Sequence, residues 1–167
     1  LSGGAARSDL KYALAIADYE QAVALYTEVD AEDLPADDRQ RQIRALESIG
    51  DIHVTVGNLA RAKEAFEKLL TVSSRRATGD PENLDWQRDL SVSYAKVGDV
   101  RVALGDLTAA LSAYESDLDI ARRLAASDPG NAEWQRDLSV SYDKVGDVWR
   151  AKGDLTAALV SYAAGRA

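Results

Sequence analysis

The nine-residue stretch WQRDLSVSY occupies residues 86–94 and returns unchanged at residues 134–142. The match extends outward from this core, because residues 80–115 and 128–163 share 26 identities in 36 positions at an offset of 48 residues. Self-similarity at a fixed period of this length is the signature of a repeat architecture. The sequence therefore predicts tandem copies of one structural unit.

A third, more divergent copy precedes these two at the same offset. Its Gly-Asp pair, its Gly-x-Leu turn and its aromatic residue all have counterparts 48 and 96 residues later: Gly50-Asp51, Gly57-Asn58-Leu59 and Phe66. A fourth, partial copy begins the chain, where Asp18, Ala22 and Tyr26 repeat the pattern of Asn58, Ala62 and Phe66. The repeat thus covers nearly the whole chain.

Each copy has the pattern of a helical hairpin. Its apolar residues recur at spacings of three and four, which is one face of a helix, and no stretch alternates with the period of a strand. The first segment of one copy carries Trp86, Leu90, Tyr94 and Val97, and the second carries Leu107, Leu111, Tyr114 and Leu118. We predict an all-α chain of about eight helices, at residues 6–16, 18–30, 38–56, 58–77, 83–104, 106–127, 131–152 and 154–165.

Residues at the expected helix ends agree with this interpretation. Asn83 and Asn131 are suited to cap the first helices. A glycine follows each first helix, where a left-handed residue ends a helix readily. An Asn or Asp then follows at once, as the expected cap of the second helix. These turn pairs are Gly57-Asn58, Gly105-Asp106 and Gly153-Asp154.

Three glycines fall inside the first helices, at Gly50, Gly98 and Gly146. Each costs roughly 1 kcal/mol relative to alanine in such a place, so a neighbouring helix must need the space. The small residues of the second helices, Ala62, Ala110 and Ala158, are the expected partners. We predict that glycine faces alanine and that the nearby Phe or Tyr fills the flank.

The order apolar-Gly, Gly-Asp-Leu, Ala and Tyr, as in residues 97–98, 105–107, 110 and 114, resembles the tetratricopeptide repeat. The resemblance implies an α-solenoid of antiparallel helical hairpins wound into a right-handed superhelix. It implies one repeat domain over residues 1–167, with a partial repeat at 6–30 and repeats at about 38–77, 83–127 and 131–165. The period of 48 residues departs from the usual 34, which predicts longer helices in each hairpin.

Composition excludes several classes of function. The net charge is −8 and the isoelectric point is about 4.7, which argues against nucleic acid or an anionic membrane surface as partner. No apolar run approaches the roughly 20 residues that span a bilayer. The chain has no Cys, so disulfides, zinc thiolate sites and Cys nucleophiles are excluded. A cytoplasmic location fits this, and the absence of Met indicates a processed chain or a piece of a longer one.

Catalytic motifs are absent from the sequence as well. A single His, His53, cannot supply a metal cluster or a Ser-His-Asp set without partners, and none is evident. The Gly-Asp pairs lack the flanking pattern of a phosphate-binding loop and recur once per hairpin, which favours a structural role. We therefore expect no enzyme activity, no cofactor and no bound metal.

In the resembled family, the first helices line a concave face that binds other proteins. The residues of these helices that point away from the buried stripe form a ladder of Arg, Lys and Asp with Val between them. This predicts a surface for a peptide or protein segment, although internal Asp–Lys pairs on a solvated face fit the same pattern. The candidate residues are Arg44, Asp51, Arg88, Val92, Lys96, Asp99, Arg136, Val140, Lys144, Asp147 and Arg150.

Two other hypotheses fit the repeats. Leu155, Leu159 and Tyr162 lie on the last, shorter helix, and their exposure would allow copies to associate end to end. The chain also resembles repeat arrays attached to larger bacterial signalling enzymes, which implies a regulatory region whose catalysis lies elsewhere.

Overall fold

The structure of the chain is a computed structural model, and it describes residues 2–27 and 36–166. Within these residues it contains seven α-helices and no strand. Their bounds are α1 Ser2–Thr27, α2 Ala36–Thr55, α3 Leu59–Gly79, α4 Leu84–Ala103, α5 Leu107–Ser127, α6 Ala132–Ala151 and α7 Leu155–Ala164. The all-α prediction is confirmed.

Helix bounds agree with the sequence prediction to within two residues for α2 to α7. The first helices of successive hairpins begin 48 residues apart, α4 at Leu84 and α6 at Ala132. The N-terminal prediction needs correction, because the expected helices 6–16 and 18–30 form the single helix α1 over the described residues. No Gly or Pro lies between residues 5 and 27, so nothing in the sequence interrupts the helical hydrogen bonds there.

By packing, the chain divides into two compact units, Leu1–Leu69 and Leu70–Ala167, with the boundary at a residue of α3. In the first unit α2 packs against α1. In the second unit α4, α5, α6 and α7 pack in sequence, each against the next, as antiparallel neighbours joined by short turns. This second unit contains two hairpins and their interface.

The turns between hairpin helices are built as predicted. Gly57, Gly105 and Gly153 have φ of 77°, 80° and 87°, which is the left-handed region where a side chain would be strained. The following Asp106 accepts from the backbone N–H of Ala109 at 3.1 Å and so caps α5. Asn83 and Asn131 cap α4 and α6 in the same way.

The glycines inside the first helices face aromatic rings. A Cβ at Gly98 would lie 2.5 Å from Cδ1 of Tyr114, and Gly50 and Gly146 stand in the same relation to Phe66 and Tyr162. The aromatic ring, expected at the flank of the glycine, lies directly over it, and the glycine–alanine contact stays a prediction. Helical side chains lean toward the N-terminus of their helix, so the ring four residues after the alanine covers the glycine.

The core of the second unit lies between its two hairpins. Residues of α5 and α6 form one buried cluster: Ala110, Leu111, Tyr114, Leu118, Val145 and Val148. Leu138, Tyr142 and Trp149 of α6 pack against it from the edge. Trp86 and Trp134 are half-buried at the starts of α4 and α6. The guanidinium of Arg76 lies 4.6 Å from the centre of the Trp86 ring, a cation–π distance.

Candidate functional site

A groove runs between the first helices α4 and α6 of the second unit, with α5 as its floor. It has a volume of about 180 Å³. We call it the α4–α6 groove, and its lining is Arg88, Ser91, Val92, Ala95, Lys96, Asp99, Asp117, Ala121, Leu124, Trp134, Asp137, Val140, Ser141 and Lys144.

Six of the eleven residues predicted from the sequence line this groove. They are Arg88, Val92, Lys96, Asp99, Val140 and Lys144. Arg136 is exposed on α6 outside the lining, and Asp147 and Arg150 form an ion pair of 2.9 Å one turn before the end of α6. Arg44 and Asp51 are exposed on α2, in the other compact unit. The full eleven-residue face stays a prediction.

The charged residues of the groove are largely paired across it. Arg88 on α4 reaches Glu133 at 2.7 Å and donates through Nε to Asp137 at 2.8 Å. Its hydrogen bond with Asp137 raises the pKa of Arg88 above the ordinary value, so this link between α4 and α6 is permanently charged. The acidic partners were missed in the sequence, because spacing along one helix does not reveal contacts between helices.

A second link joins the two helices further along the groove. Lys144 of α6 donates to the carboxylate of Asp99 on α4, and the phenol of Tyr114 donates to the same carboxylate at 2.6 Å. Burial raises the pKa of Tyr114 well above its ordinary value, so the phenol stays protonated and remains a donor. The ammonium of Lys144 also lies 5.2 Å from the centre of the Tyr114 ring.

The floor of the groove carries a buried carboxylate, Asp117 on α5, which is 4% exposed. Its partners are hydroxyl groups from both walls: Ser91 of α4 donates to one oxygen, and Ser141 of α6 donates to the other at 2.8 Å. Burial raises the pKa of Asp117 above its ordinary value, since hydrogen bonds from two neutral hydroxyls do not replace hydration fully.

Asp117 was not among the predicted site residues, although a signal for it existed. In the 48-residue alignment its counterpart is Leu69, which is buried at 1% exposure in the preceding hairpin. A carboxylate in the place of a core leucine is unfavourable for folding, which indicates that Asp117 serves a purpose other than stability.

Between the two ion-pair links, the walls of the groove carry apolar residues beside Lys96 and the two serines. Val92 and Val140 face it from opposite helices and are 38% and 43% exposed. Ala121 and Leu124 lie on the floor, and Trp134 lies half-buried at one end. A groove with apolar walls and few polar groups at fixed positions is typical of a binding site rather than of a solvated surface.

Metal and membrane features are missing from the parts of the chain that the structure covers. Over residues 2–27 and 36–166, no three His, Asp or Glu side chains stand close enough to hold a metal ion together. His53 lies half-buried on α2. Among the seven described helices, none combines the length and the apolar character that crossing a bilayer requires.

Several solved structures resemble the chain weakly, among them those of BtubC and MamA. The crystal structure of BtubC (BKLC) from P. vanneervenii is 17% identical, with 89% of this chain and 72% of that chain covered and a TM-score of 0.43. The crystal structure of MamA is 18% identical, with 89% and 87% covered and a TM-score of 0.34. Among curated proteins, none matches the chain.

A family model matches one hairpin of the chain. The model of the tetratricopeptide repeat matches residues 43–75, which form most of α2 and α3. The same Gly, Gly-x-Leu, Ala and aromatic positions return 48 residues later in α4–α5 and again in α6–α7. Residues 43–75 therefore match a tetratricopeptide repeat, and the two hairpins that follow repeat its key positions.

Proposed function

We propose that the chain is a non-catalytic binding module whose α4–α6 groove holds a segment of a partner protein. Tetratricopeptide repeats generally mediate protein–protein interactions, which favours this class of function. The observation that carries the proposal is the pair of exposed valines, Val92 and Val140, which face one another across a groove whose ends are fixed by ion pairs.

The dimensions favour an extended segment. From Arg88 to Asp99 the groove follows eleven residues of α4, which is about 16 Å at 1.5 Å per residue. About five residues of extended chain span that distance. A volume of about 180 Å³ is below the range of pockets that enclose drug-sized ligands, which favours individual side chains inserted from a longer chain.

The ion pairs make the groove a preformed site. Arg88 and Lys144 are each engaged by carboxylates of the opposite helix, so they hold α4 and α6 at a fixed spacing instead of extending into solvent. A rigid groove binds with less loss of conformational entropy than a flexible one. The sequence hypothesis had these cations themselves contact the partner. We instead expect the partner to contact mainly the valines and the floor of the groove.

Paired substitution of Val92→Glu and Val140→Glu tests the groove. Heptapeptides are first selected from a random phage-displayed library on the wild-type chain. Their affinity for the double variant should be about tenfold lower or more, because two apolar contacts are replaced by charge. Titration of the synthetic peptides by fluorescence polarisation measures this. The matched control is Val102→Glu with Leu104→Glu, which changes two similarly exposed apolar residues outside the groove, one in the last turn of α4 and one at its C-cap. An equal effect of both pairs would contradict the proposal.

Self-association is a second candidate function, and a different surface favours it. On α7, Leu155 and Leu159 are 64% and 67% exposed, whereas Leu111, the counterpart of Leu159, is 9% exposed beneath α6. Val160 is 66% exposed beside them. Contiguous exposed apolar residues mark interaction surfaces in folded proteins.

If copies associate through this face, Leu155→Asp with Leu159→Asp abolishes the association. Light scattering over a concentration series should show the apparent mass of the wild-type chain rising with concentration, and that of the variant staying at one chain. Leu104→Asp is the control for an exposed leucine elsewhere. A wild-type chain that keeps the mass of one copy at the highest concentration rules this candidate out.

A further inference from the structure

Two of the basic residues of the α4–α6 groove have ion-pair partners, whereas one of its carboxylates has none. Arg88 and Lys144 each contact a carboxylate of the opposite helix, and Asp99 and Asp137 are the carboxylates that they contact. Asp117 differs, because its hydrogen-bond partners are hydroxyl groups alone. The floor therefore holds a buried negative charge that no direct ion pair neutralises.

Asp117 has one positive and one negative charge near it. Lys144 acts on it favourably from α6 but is already bound to Asp99, and the negative charge of Asp137 acts on it unfavourably. The remaining neighbours on the floor, Ala121 and Leu124, are apolar and provide no hydration. A cation that entered the groove would be attracted to Asp117 in surroundings where charge interactions are stronger than in water.

We propose that Asp117 is the specificity-determining residue of the groove, and that it receives a Lys or Arg side chain of the bound segment. This inference rests on the proposed function of the groove. The carboxylate stands where the preceding hairpin has the buried Leu69, so the fold itself does not require an acid at this position. Val92 and Val140 lie on either side to contact the apolar stem of such a side chain, as lysine and arginine stems do elsewhere.

The two serines fit a role in presenting the carboxylate. The Ser141 hydroxyl lies 2.9 Å from its own helix carbonyl at Asp137, and the Ser91 hydroxyl lies 3.3 Å from the carbonyl of Asp117. Each hydroxyl has one proton, and it has an alternative acceptor when a ligand cation approaches the carboxylate. The site thus accepts a cation without leaving either hydroxyl unsatisfied.

The test selects heptapeptides from the phage-displayed library separately on the wild-type chain and on Asp117→Leu. We expect the wild-type peptides to carry Lys or Arg at one fixed position. Replacing that residue by norleucine should weaken binding to the wild type about tenfold or more, which is the usual effect of losing a charged hydrogen bond. With Asp117→Leu the same replacement should change affinity less than twofold. Asp117→Asn, which keeps the shape and removes the charge, should behave like Asp117→Leu.

The outcomes separate this inference from the groove itself. Peptides that depend on Val92 and Val140 but show no fixed basic residue would overturn the cation site and leave the groove proposal standing. An equal effect of norleucine on the wild type and both variants would do the same. Peptides that bind without regard to the valines would overturn both. Thermal unfolding of Asp117→Leu and Asp117→Asn, checked first, shows that each variant is folded when it is assayed.

Discussion

Gly98→Ala is expected to lower the free energy of unfolding by about 2–3 kcal/mol, although alanine is the better helix former. The added Cβ would lie 2.5 Å from Cδ1 of Tyr114, a residue that is 4% exposed and packed within the core of the second unit. The ring has no free space to enter, and its hydroxyl is held at 2.6 Å by Asp99. Either α4 must move away from α5 or that hydrogen bond must break. Chemical denaturation followed by circular dichroism measures the loss.

Two further glycines provide controls for this substitution. Gly79 ends α3 with nothing within 4 Å of its added Cβ, so Gly79→Ala should be neutral or slightly stabilising. Gly146 faces Tyr162, which is only half-buried on α7, so the ring of Tyr162 can turn away and Gly146→Ala should destabilise less than Gly98→Ala. A Gly98→Ala chain as stable as Gly79→Ala would show that the ring does not pack on the glycine.

The sequence sufficed for α2 to α7, whose ends carry local signals, but not for α1, where it predicted two helices. The left-handed glycine at Gly105 and the cap at Asp106 fix a boundary without help from the rest of the chain. The ring of Tyr114 was predicted only at the flank of Gly98, because its position over the glycine depends on the direction in which the side chain leaves its helix. Periodicity identifies the face of a helix that is buried, but it does not say which residue of that face meets a given neighbour.

In the candidate site too, features of a single helix could be predicted from the sequence, whereas contacts between helices could not. The exposed valines of the first helices followed from helical spacing, and Val92 and Val140 do line the groove. The ion pairs of Arg88 and Lys144 could not be predicted from that spacing, because their partners lie 45 to 49 residues away on the neighbouring first helix. Asp117 lies on a second helix, and only the comparison with Leu69 in the preceding repeat distinguishes it from an ordinary surface carboxylate.

Asp117→Leu is expected to raise the free energy of unfolding by about 1–3 kcal/mol at neutral pH, because a buried charge is replaced by an apolar side chain. The preceding hairpin already accommodates leucine at this position, as Leu69. The hydroxyls of Ser91 and Ser141 retain backbone carbonyl acceptors, so the change leaves no buried donor unsatisfied. Asp119→Leu, at an exposed carboxylate two residues away on α5, should stay within about 0.5 kcal/mol of the wild type.

The gain in the free energy of unfolding on Asp117→Leu should depend on pH, and the direction of that dependence shows whether the buried charge causes the gain. Burial raises the folded-state pKa of Asp117 above its ordinary value of 3.8, so protonation favours the folded chain. The wild type therefore gains stability relative to the variant as the pH falls through the raised folded-state pKa toward 3.8. The difference between the two chains is fully present above the folded-state pKa and smallest below the ordinary value. Urea unfolding at a series of pH values measures it, and a difference that grows on acidification would mean that the carboxylate is stabilised by its surroundings and that the groove has no unneutralised charge to offer a cation.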